Sequence, residues 1–147
     1  VSGGSTPSAA YTHAGPATEL RPGVYVFGDA QQVELGTIGF EEVALTVASR
    51  VVSHAGGRVI ADAGSKALGA DRAPWASGYG RVLDAPDARI VALSEHHATI
   101  EWPGALPPLG SPILVVPNHV CNAVNLADEY VLTSGGRWPV AARGRNH

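Results

Sequence analysis

The fold is decided by residues 89–102, RIVALSEHHATIEW, which hold two candidate strands. Residues 89–93 are mostly apolar, residues 94–97 are polar, and residues 99–102 are again β-branched and aromatic in large part. Short runs of this kind, bounded by polar segments, are typical of β-strands joined by turns. The stretch therefore predicts two consecutive strands in the second half of the chain.

The same pattern extends in both directions along the chain. Six further segments are predicted strands: residues 24–27, 41–54, 58–61, 113–116, 129–133 and 138–142. Gly56-Gly57 and residues 134–137 are expected to be hairpin links, residues 62–68 a polar turn and residues 73–81 an aromatic loop. Many short strands with frequent turns predict a mainly β protein, folded as a closed or partly closed barrel.

Composition narrows the class of protein. The 147 residues are 45% hydrophobic and 16% charged, which is enough apolar material for the core of one domain. The net charge of −3 gives no electrostatic support for a nucleic-acid partner, and no apolar run approaches the roughly 20 residues of a membrane helix. The single cysteine suits a reducing compartment, so we expect a cytoplasmic protein.

Two segments near the amino end are candidates for a functional role, the first of them as a phosphate site. Residues 3–7, GGSTP, are small and polar, so backbone N–H groups and hydroxyls can surround an anion there, although a flexible end has the same composition. Residues 21–23, RPG, lead into the predicted strand at 24–27, and a plain turn explains them equally well.

Two polar segments further along the chain are weaker candidates. Asp62 and Lys66, the only lysine, flank Gly64 and can form either a structural pair or part of a site. His96 and His97 are adjacent, and neighbouring residues of a strand point to opposite faces. We therefore expect that at most one of these two histidines reaches a site.

Residues 117–122, PNHVCN, contain a candidate metal pair. On an extended segment His119 and Cys121, two residues apart, project to the same side. Imidazole nitrogen and thiolate sulfur are ligands that zinc prefers, and two ligands leave open positions for water or substrate. A buried thiol beside an ordinary histidine is the alternative that spacing alone leaves open.

Taken together, four segments resemble the C-terminal part of the D-threonine aldolase and D-serine dehydratase family. These are residues 19–25 (ELRPGVY), 62–68 (DAGSKAL), 117–121 (PNHVC) and 142–144 (ARG). The family consists of pyridoxal-phosphate enzymes related to alanine racemase, with an N-terminal (β/α)₈ barrel and a β-rich C-terminal domain. The resemblance implies that residues 1–30 are the end of that barrel and residues 31–147 the β domain.

The resemblance also implies site residues. Gly4, Ser5 and Thr6 match a loop that holds the cofactor phosphate, and the segment with Arg21, Gly23 and Val24 matches the last barrel strand beside the cofactor. His119 and Cys121 match the positions that bind a divalent metal, and the cysteine favours zinc, with manganese as the other candidate. Asp62, Lys66 and His97 are implied to shape the catalytic site; the family usually has Ser-Glu-Glu-His-Gly where this chain has residues 94–98, SEHHA.

The implied activity is a lyase reaction on a D-β-hydroxy-α-amino acid, either dehydration or retro-aldol cleavage, in a homodimer. Lys66 does not match the family's cofactor-bonding lysine, which lies near the start of the barrel. We therefore expect this chain to be a truncated form or one part of an assembly with the remaining barrel, and to be inactive alone. A racemase of the same fold, which needs no metal, and a non-catalytic β domain used for assembly are the two alternatives.

Overall fold

A computed structural model describes residues 1–145 of the chain. Its centre is a closed barrel of six strands, so the predicted mainly β barrel is confirmed. The strands are β3 (Val47–Ser53), β4 (Val59–Ala61), β5 (Gly80–Val82), β6 (Ala85–Leu93), β7 (Ala98–Glu101) and β8 (Pro112–Pro117). Each strand pairs antiparallel with its neighbours, in the order β3-β4-β7-β6-β5-β8.

The barrel interior is built from the inward-facing residues of these strands. Ile90 of β6 lies opposite Ile100 of β7, which in turn lies opposite Val59 of β4, and all three side chains are fully buried. Register shifts in β3, β5 and β6 bend the strands, as β-bulges do, and help the short sheet to close. Closure leaves the barrel without an open edge, which removes a site of aggregation.

Within the described residues, seven further strands and α-helices lie outside the barrel. They are β1 (Ser2–Gly3), β2 (Glu19–Leu20), α1 (Ala30–Glu34), α2 (Ser65–Leu68), α3 (Val120–Leu126), β9 (Glu129–Val131) and β10 (Arg137–Pro139). The pairing of β1 with β2 is parallel, whereas β9 and β10 form the predicted hairpin. The Phe27 ring lies 5.5 Å from that of Tyr130 and so connects the amino-terminal segment to this hairpin. The division of the chain near residue 30 stays a prediction.

A buried ion pair attaches α1 to the barrel. Arg81 of β5 is 4% exposed, and its guanidinium donates to Glu34 Oε2 at 2.8 Å and to Ser77 Oγ at 2.6 Å. The Ser77 backbone N–H also donates to the Glu34 carboxylate. Removing either member of such a buried pair leaves an uncompensated charge, so this contact fixes the position of α1.

Several predicted elements differ from the structure. Residues 24–27 are not a strand: Val24–Val26 form a 3₁₀ turn closed by the bond from Phe27 N–H to Val24 O, because no neighbouring strand lies alongside. The strand predicted over residues 41–54 begins only at Val47, and Phe40–Glu42 form another 3₁₀ turn. A short 3₁₀ helix also covers Thr6–Ala14.

The predicted turn at residues 62–68 contains the helix α2. Its first two N–H groups, on Ser65 and Lys66, donate to the backbone carbonyls of Ser94 and Glu95 in the β6–β7 turn. These contacts come from a distant segment, so local composition did not reveal the helix. Within the described residues, no helix has the length and apolar character needed to cross a bilayer.

Candidate functional site

The segment between β8 and α3 carries the predicted metal pair. Pro117 ends β8, His119 is the residue that precedes α3, and Cys121 lies in the first turn of that helix. The expectation that residues 117–122 are extended is therefore wrong for their second half. His119 and Cys121 therefore flank Val120, the first residue of α3.

A carboxylate from another loop orients the imidazole. His119 Nδ1 lies 2.5 Å from Asp71 Oδ2, and the Asn118 side-chain amide donates to the Asp71 carbonyl at 3.0 Å. With Nδ1 occupied in this way, Nε2 is the ring nitrogen left to bind a metal or a substrate. A carboxylate on the second ring nitrogen is the usual support of a metal-binding histidine.

A second carboxylate lies beneath the same helix end. Asp29 is 1% exposed; its Oδ1 accepts from Gln32 N–H at 3.0 Å and its Oδ2 from Val120 N–H at 3.1 Å. Burial raises the pKa of Asp29, while the hydrogen bonds from Val120 and Gln32 oppose that shift. The sequence analysis missed both Asp29 and Asp71. An Asp directly before a helix is a recognisable cap signal, but nothing local singles out Asp71.

The surroundings of Cys121 favour the protonated thiol over the thiolate. Burial raises the pKa of Cys121, and the negative charges of Asp29 and Asp71 raise it further. A bound divalent cation would instead lower the pKa of Cys121, because it stabilises the thiolate directly. Within residues 1–145, no group of three or more His, Cys, Asp or Glu side chains is arranged to hold a metal ion. The donor atoms of His119 and Cys121, an imidazole nitrogen and a thiol sulfur, are of the kinds that zinc prefers, so a metal held by these two residues would leave its other positions open.

The other predicted catalytic residues lie around α2. Lys66 forms an exposed ion pair with Glu95 at 2.7 Å, and the exposed His97 follows in the same β6–β7 turn, where its N–H donates to Ser94 Oγ. α2 packs against α3, so Lys66 and the turn lie on the α3 side of the barrel. Catalytic roles for Lys66 and His97 stay predictions.

Asp62 has different neighbours. Its Oδ1 accepts from the Ser49 hydroxyl and from the Arg50 N–H, both at 2.8 Å, and these bonds lower its pKa. The carboxylate thus connects the end of β4 to the middle of β3. These hydrogen bonds give Asp62 a structural role. Its predicted catalytic role is untested.

The predicted cofactor residues come together at the amino end. The Thr6 hydroxyl oxygen accepts from Tyr25 N–H at 3.1 Å, and Arg21 N–H donates to the Gly3 carbonyl at 3.2 Å. Two segments separated in sequence are thereby placed side by side: Gly4, Ser5 and Thr6 in one, and Arg21, Gly23 and Val24 in the other. Within the described chain a Cβ on Gly23 would meet nothing within 4 Å, and Ser5 is exposed. Glycines and hydroxyl side chains are residue types that suit a phosphate group.

Comparison with known proteins decides the family. Residues 44–133 match the family model described as "Putative serine dehydratase domain". The chain belongs to this serine dehydratase domain family. It is 50% identical over 133 residues to an uncharacterized protein of Mycobacterium tuberculosis, covering 83% of this chain and 100% of that protein.

Enzymes related to this family contain the domain as part of a longer chain. D-threo-3-hydroxyaspartate dehydratase of Delftia sp. is 36% identical over 142 residues, which are 82% of this chain and 37% of the enzyme. Its solved structure has a TM-score of 0.77 at 31% identity, covering 95% of this chain and 42% of that one. For D-threonine aldolase from Filomicrobium marinum the TM-score is 0.78 at 32% identity, covering 100% and 42%. The chain thus spans about two fifths of these enzymes.

Two variants of D-threo-3-hydroxyaspartate dehydratase have also been solved. In one a histidine is replaced by alanine, and in the other a cysteine is replaced by alanine and the protein is in the metal-free form. The two replaced residues stand two positions apart in that enzyme. His119 and Cys121 have the same spacing here.

Proposed function

We propose that this chain is the C-terminal β domain of a pyridoxal-phosphate- and metal-dependent lyase acting on D-β-hydroxy-α-amino acids. The observation that carries the proposal is the arrangement of His119 and Cys121 at the start of α3, with Asp71 bound to the second nitrogen of the imidazole. The family and the relatives that are lyases support the reaction class.

In this proposal His119 Nε2 and Cys121 Sγ hold the metal, zinc or manganese. Asp71 fixes the imidazole ring so that Nε2 faces outward, and its negative charge makes the ring a better donor. A histidine and a cysteine with the same spacing are the replaced residues in two solved variants of D-threo-3-hydroxyaspartate dehydratase, and the structure of the cysteine variant is of the metal-free form. Cysteine at the second position favours zinc over harder ions.

In this proposal the amino-terminal segment contacts the cofactor phosphate. Gly4 and Gly23 allow close approach of the backbone, and the hydroxyls of Ser5 and Thr6 supply donors. When bound, pyridoxal phosphate supplies an electron sink for the carbanion, and the metal supplies a Lewis acid for the substrate hydroxyl. The remaining barrel and a second subunit would complete the cofactor site, in a cytoplasmic homodimer.

The residues near α2 would handle the substrate itself. Lys66 presents an ammonium group that suits a substrate carboxylate, although Glu95 competes for it at 2.7 Å. His97 is exposed, and its imidazole ring offers two nitrogens for hydrogen bonding. Through these groups the site would orient a D-amino acid with its β-hydroxyl directed toward His119 and Cys121. Loss of that hydroxyl would give dehydration, and cleavage of the Cα–Cβ bond would give glycine and an aldehyde.

The test is an assay of the chain in the assembly in which it occurs, with pyridoxal phosphate and either D-serine or D-threonine. Turnover should stop on chelation, return on addition of Zn²⁺ or Mn²⁺, and be abolished by Cys121→Ala. Activity that survives both exhaustive chelation and Cys121→Ala would refute the metal-dependent lyase. Racemisation without metal dependence would instead establish the racemase alternative.

A second candidate is a non-catalytic domain used for assembly. It is favoured by the M. tuberculosis relative, which the match covers along its whole length. Turnover of the assembly, measured together with light scattering coupled to size exclusion, distinguishes the two functions: an assembly domain self-associates or captures the barrel partner, and replacing Cys121 changes neither that association nor the turnover. A lyase domain loses turnover with that replacement while its association state is unchanged.

A further inference from the structure

The Asp29 carboxylate joins the starts of two helices. Oδ1 accepts from Gln32 N–H in the first turn of α1, and Oδ2 accepts from Val120 N–H, the first residue of α3, 91 positions away in sequence. Val120 is the single residue that lies between His119 and Cys121. The carboxylate therefore holds the backbone at the midpoint of the proposed metal pair.

A second contact strengthens the same junction. Gln31 N–H of α1 donates to the carbonyl of Asn118 at 3.3 Å, and Asn118 is itself buried, with its side-chain amide bound to the Asp71 carbonyl. One continuous set of hydrogen bonds thus runs from α1 through Asn118 to the loop whose carboxylate orients His119. Both the backbone and the imidazole of the pair are held by this set.

The charge of Asp29 lacks a full partner within the protein. Both oxygens accept from N–H groups, as those of an ionised carboxylate do, and none of the ion pairs within residues 1–145 includes Asp29. Burying an anion without a cation is costly even when it is hydrogen-bonded. Asp29 acts electrostatically on both His119 and Cys121, so a divalent cation bound by that pair would offset the buried charge.

We propose that Asp29 is a positioning residue for the metal pair, which it serves by fixing the Val120 backbone between the two ligands and by supplying a buried negative charge behind them. This inference rests on the proposed function, because it takes His119 and Cys121 as the metal ligands. It adds a residue that contacts neither the metal nor the substrate, and it predicts that metal affinity depends on a residue of α1.

The test is titration of the 147-residue chain with Co²⁺, observed through the near-ultraviolet charge-transfer absorption of a cobalt–thiolate bond and the visible bands that report its geometry. Asp29→Asn and Asp29→Ser both retain a side chain that caps α1, but neither leaves a carboxylate for the Val120 N–H. Each variant should bind Co²⁺ about 10- to 100-fold more weakly, the range found for residues that support metal ligands. The visible bands should also shift, whereas a merely structural role would leave them unchanged.

Two control variants separate the possible failures. Cys121→Ala removes a proposed ligand, and Ile100→Val lowers stability by about 0.5–1.5 kcal/mol from within the barrel without touching α3. If the wild-type chain shows no thiolate band, or if Cys121→Ala retains it, the metal pair of the proposed function is wrong. If the wild-type chain binds, Cys121→Ala does not, and either folded Asp29 variant matches the wild-type chain, only the role of Asp29 is refuted. If Ile100→Val weakened Co²⁺ binding as much as the Asp29 variants do, the role of Asp29 would also be refuted. The loss of affinity would then follow from the lower stability of the whole domain.

Discussion

His119 Nδ1 and Asp71 Oδ2 lie 2.5 Å apart although 48 positions separate the two residues in the sequence. The contact fixes the orientation of the imidazole ring at the start of α3. The ring nitrogen it leaves available is the one that the proposed metal site uses. Among the residues that are not proposed ligands, Asp71 is therefore the one whose substitution tests that site most directly.

Replacing this carboxylate should weaken metal binding. Asp71→Asn keeps the size of the side chain but removes the charge that holds the imidazole, so we expect about a 10- to 100-fold loss of Zn²⁺ affinity by isothermal titration calorimetry. Asp128→Asn is the matched control because it breaks an exposed ion pair with Arg143. Equal affinities for Asp71→Asn and the wild-type chain would show that the contact does not support a ligand.

The Cys121 thiol should react slowly at neutral pH when no metal is present. Burial and the charges of Asp29 and Asp71 raise its pKa, and the thiolate is the reactive form. The rate of alkylation by iodoacetamide should therefore rise only at a pH above the ordinary cysteine value of about 8.5. Since a metal must displace the proton, Zn²⁺ affinity should fall on acidification. If the pH at which the alkylation rate reaches half its maximum lies below this ordinary pKa, the claim that burial raises the pKa of Cys121 is wrong.

Asp62 should contribute to folding stability in a pH-dependent way. Its hydrogen bonds from Arg50 and Ser49 lower its folded-state pKa, so its contribution is complete above the unfolded-state pKa and is lost as the pH falls through the folded-state value. Asp62→Ala should reduce the unfolding free energy by about 1 kcal/mol at pH 7, measured by urea denaturation, and by less below about pH 4. Asp87→Ala, at an exposed position of β6, is the control. A difference that stays constant down to pH 2 would exclude the carboxylate as its source.

Gly64 should not tolerate a side chain. A Cβ placed there would lie 2.5 Å from the backbone carbonyl of Glu95 and the nitrogen of His96, so the turn that carries His97 would have to move. Gly64→Ala should cost about 1–3 kcal/mol, measured as a lower urea midpoint. Gly15→Ala is the control, since its Cβ would make only an ordinary contact at 3.6 Å. Equal urea midpoints for Gly64→Ala and Gly15→Ala would show that the contact between α2 and the β6–β7 turn has room for a side chain.

Much of the barrel was predictable because β-strands have a recognisable local amino-acid composition. The apolar and β-branched runs at residues 58–61, 89–93, 99–102 and 113–116 all coincide with barrel strands, and the glycine turn after residue 133 marks the β9–β10 hairpin. The run at residues 24–27 has the same composition and is a 3₁₀ turn. A strand needs a neighbour to pair with, and composition does not report whether one is present.

By itself, the sequence determined the fold class and the family, and it indicated His119 and Cys121 as a possible metal pair, because each of these depends on residue types at short spacing. Only the tertiary structure decided what surrounds that pair. Asp71 and Asp29 reach it across 48 and 91 positions, and α3 begins between its two members. Hydrogen bonds between distant segments form only where the closed barrel brings those segments together, so no local pattern in the sequence reports them.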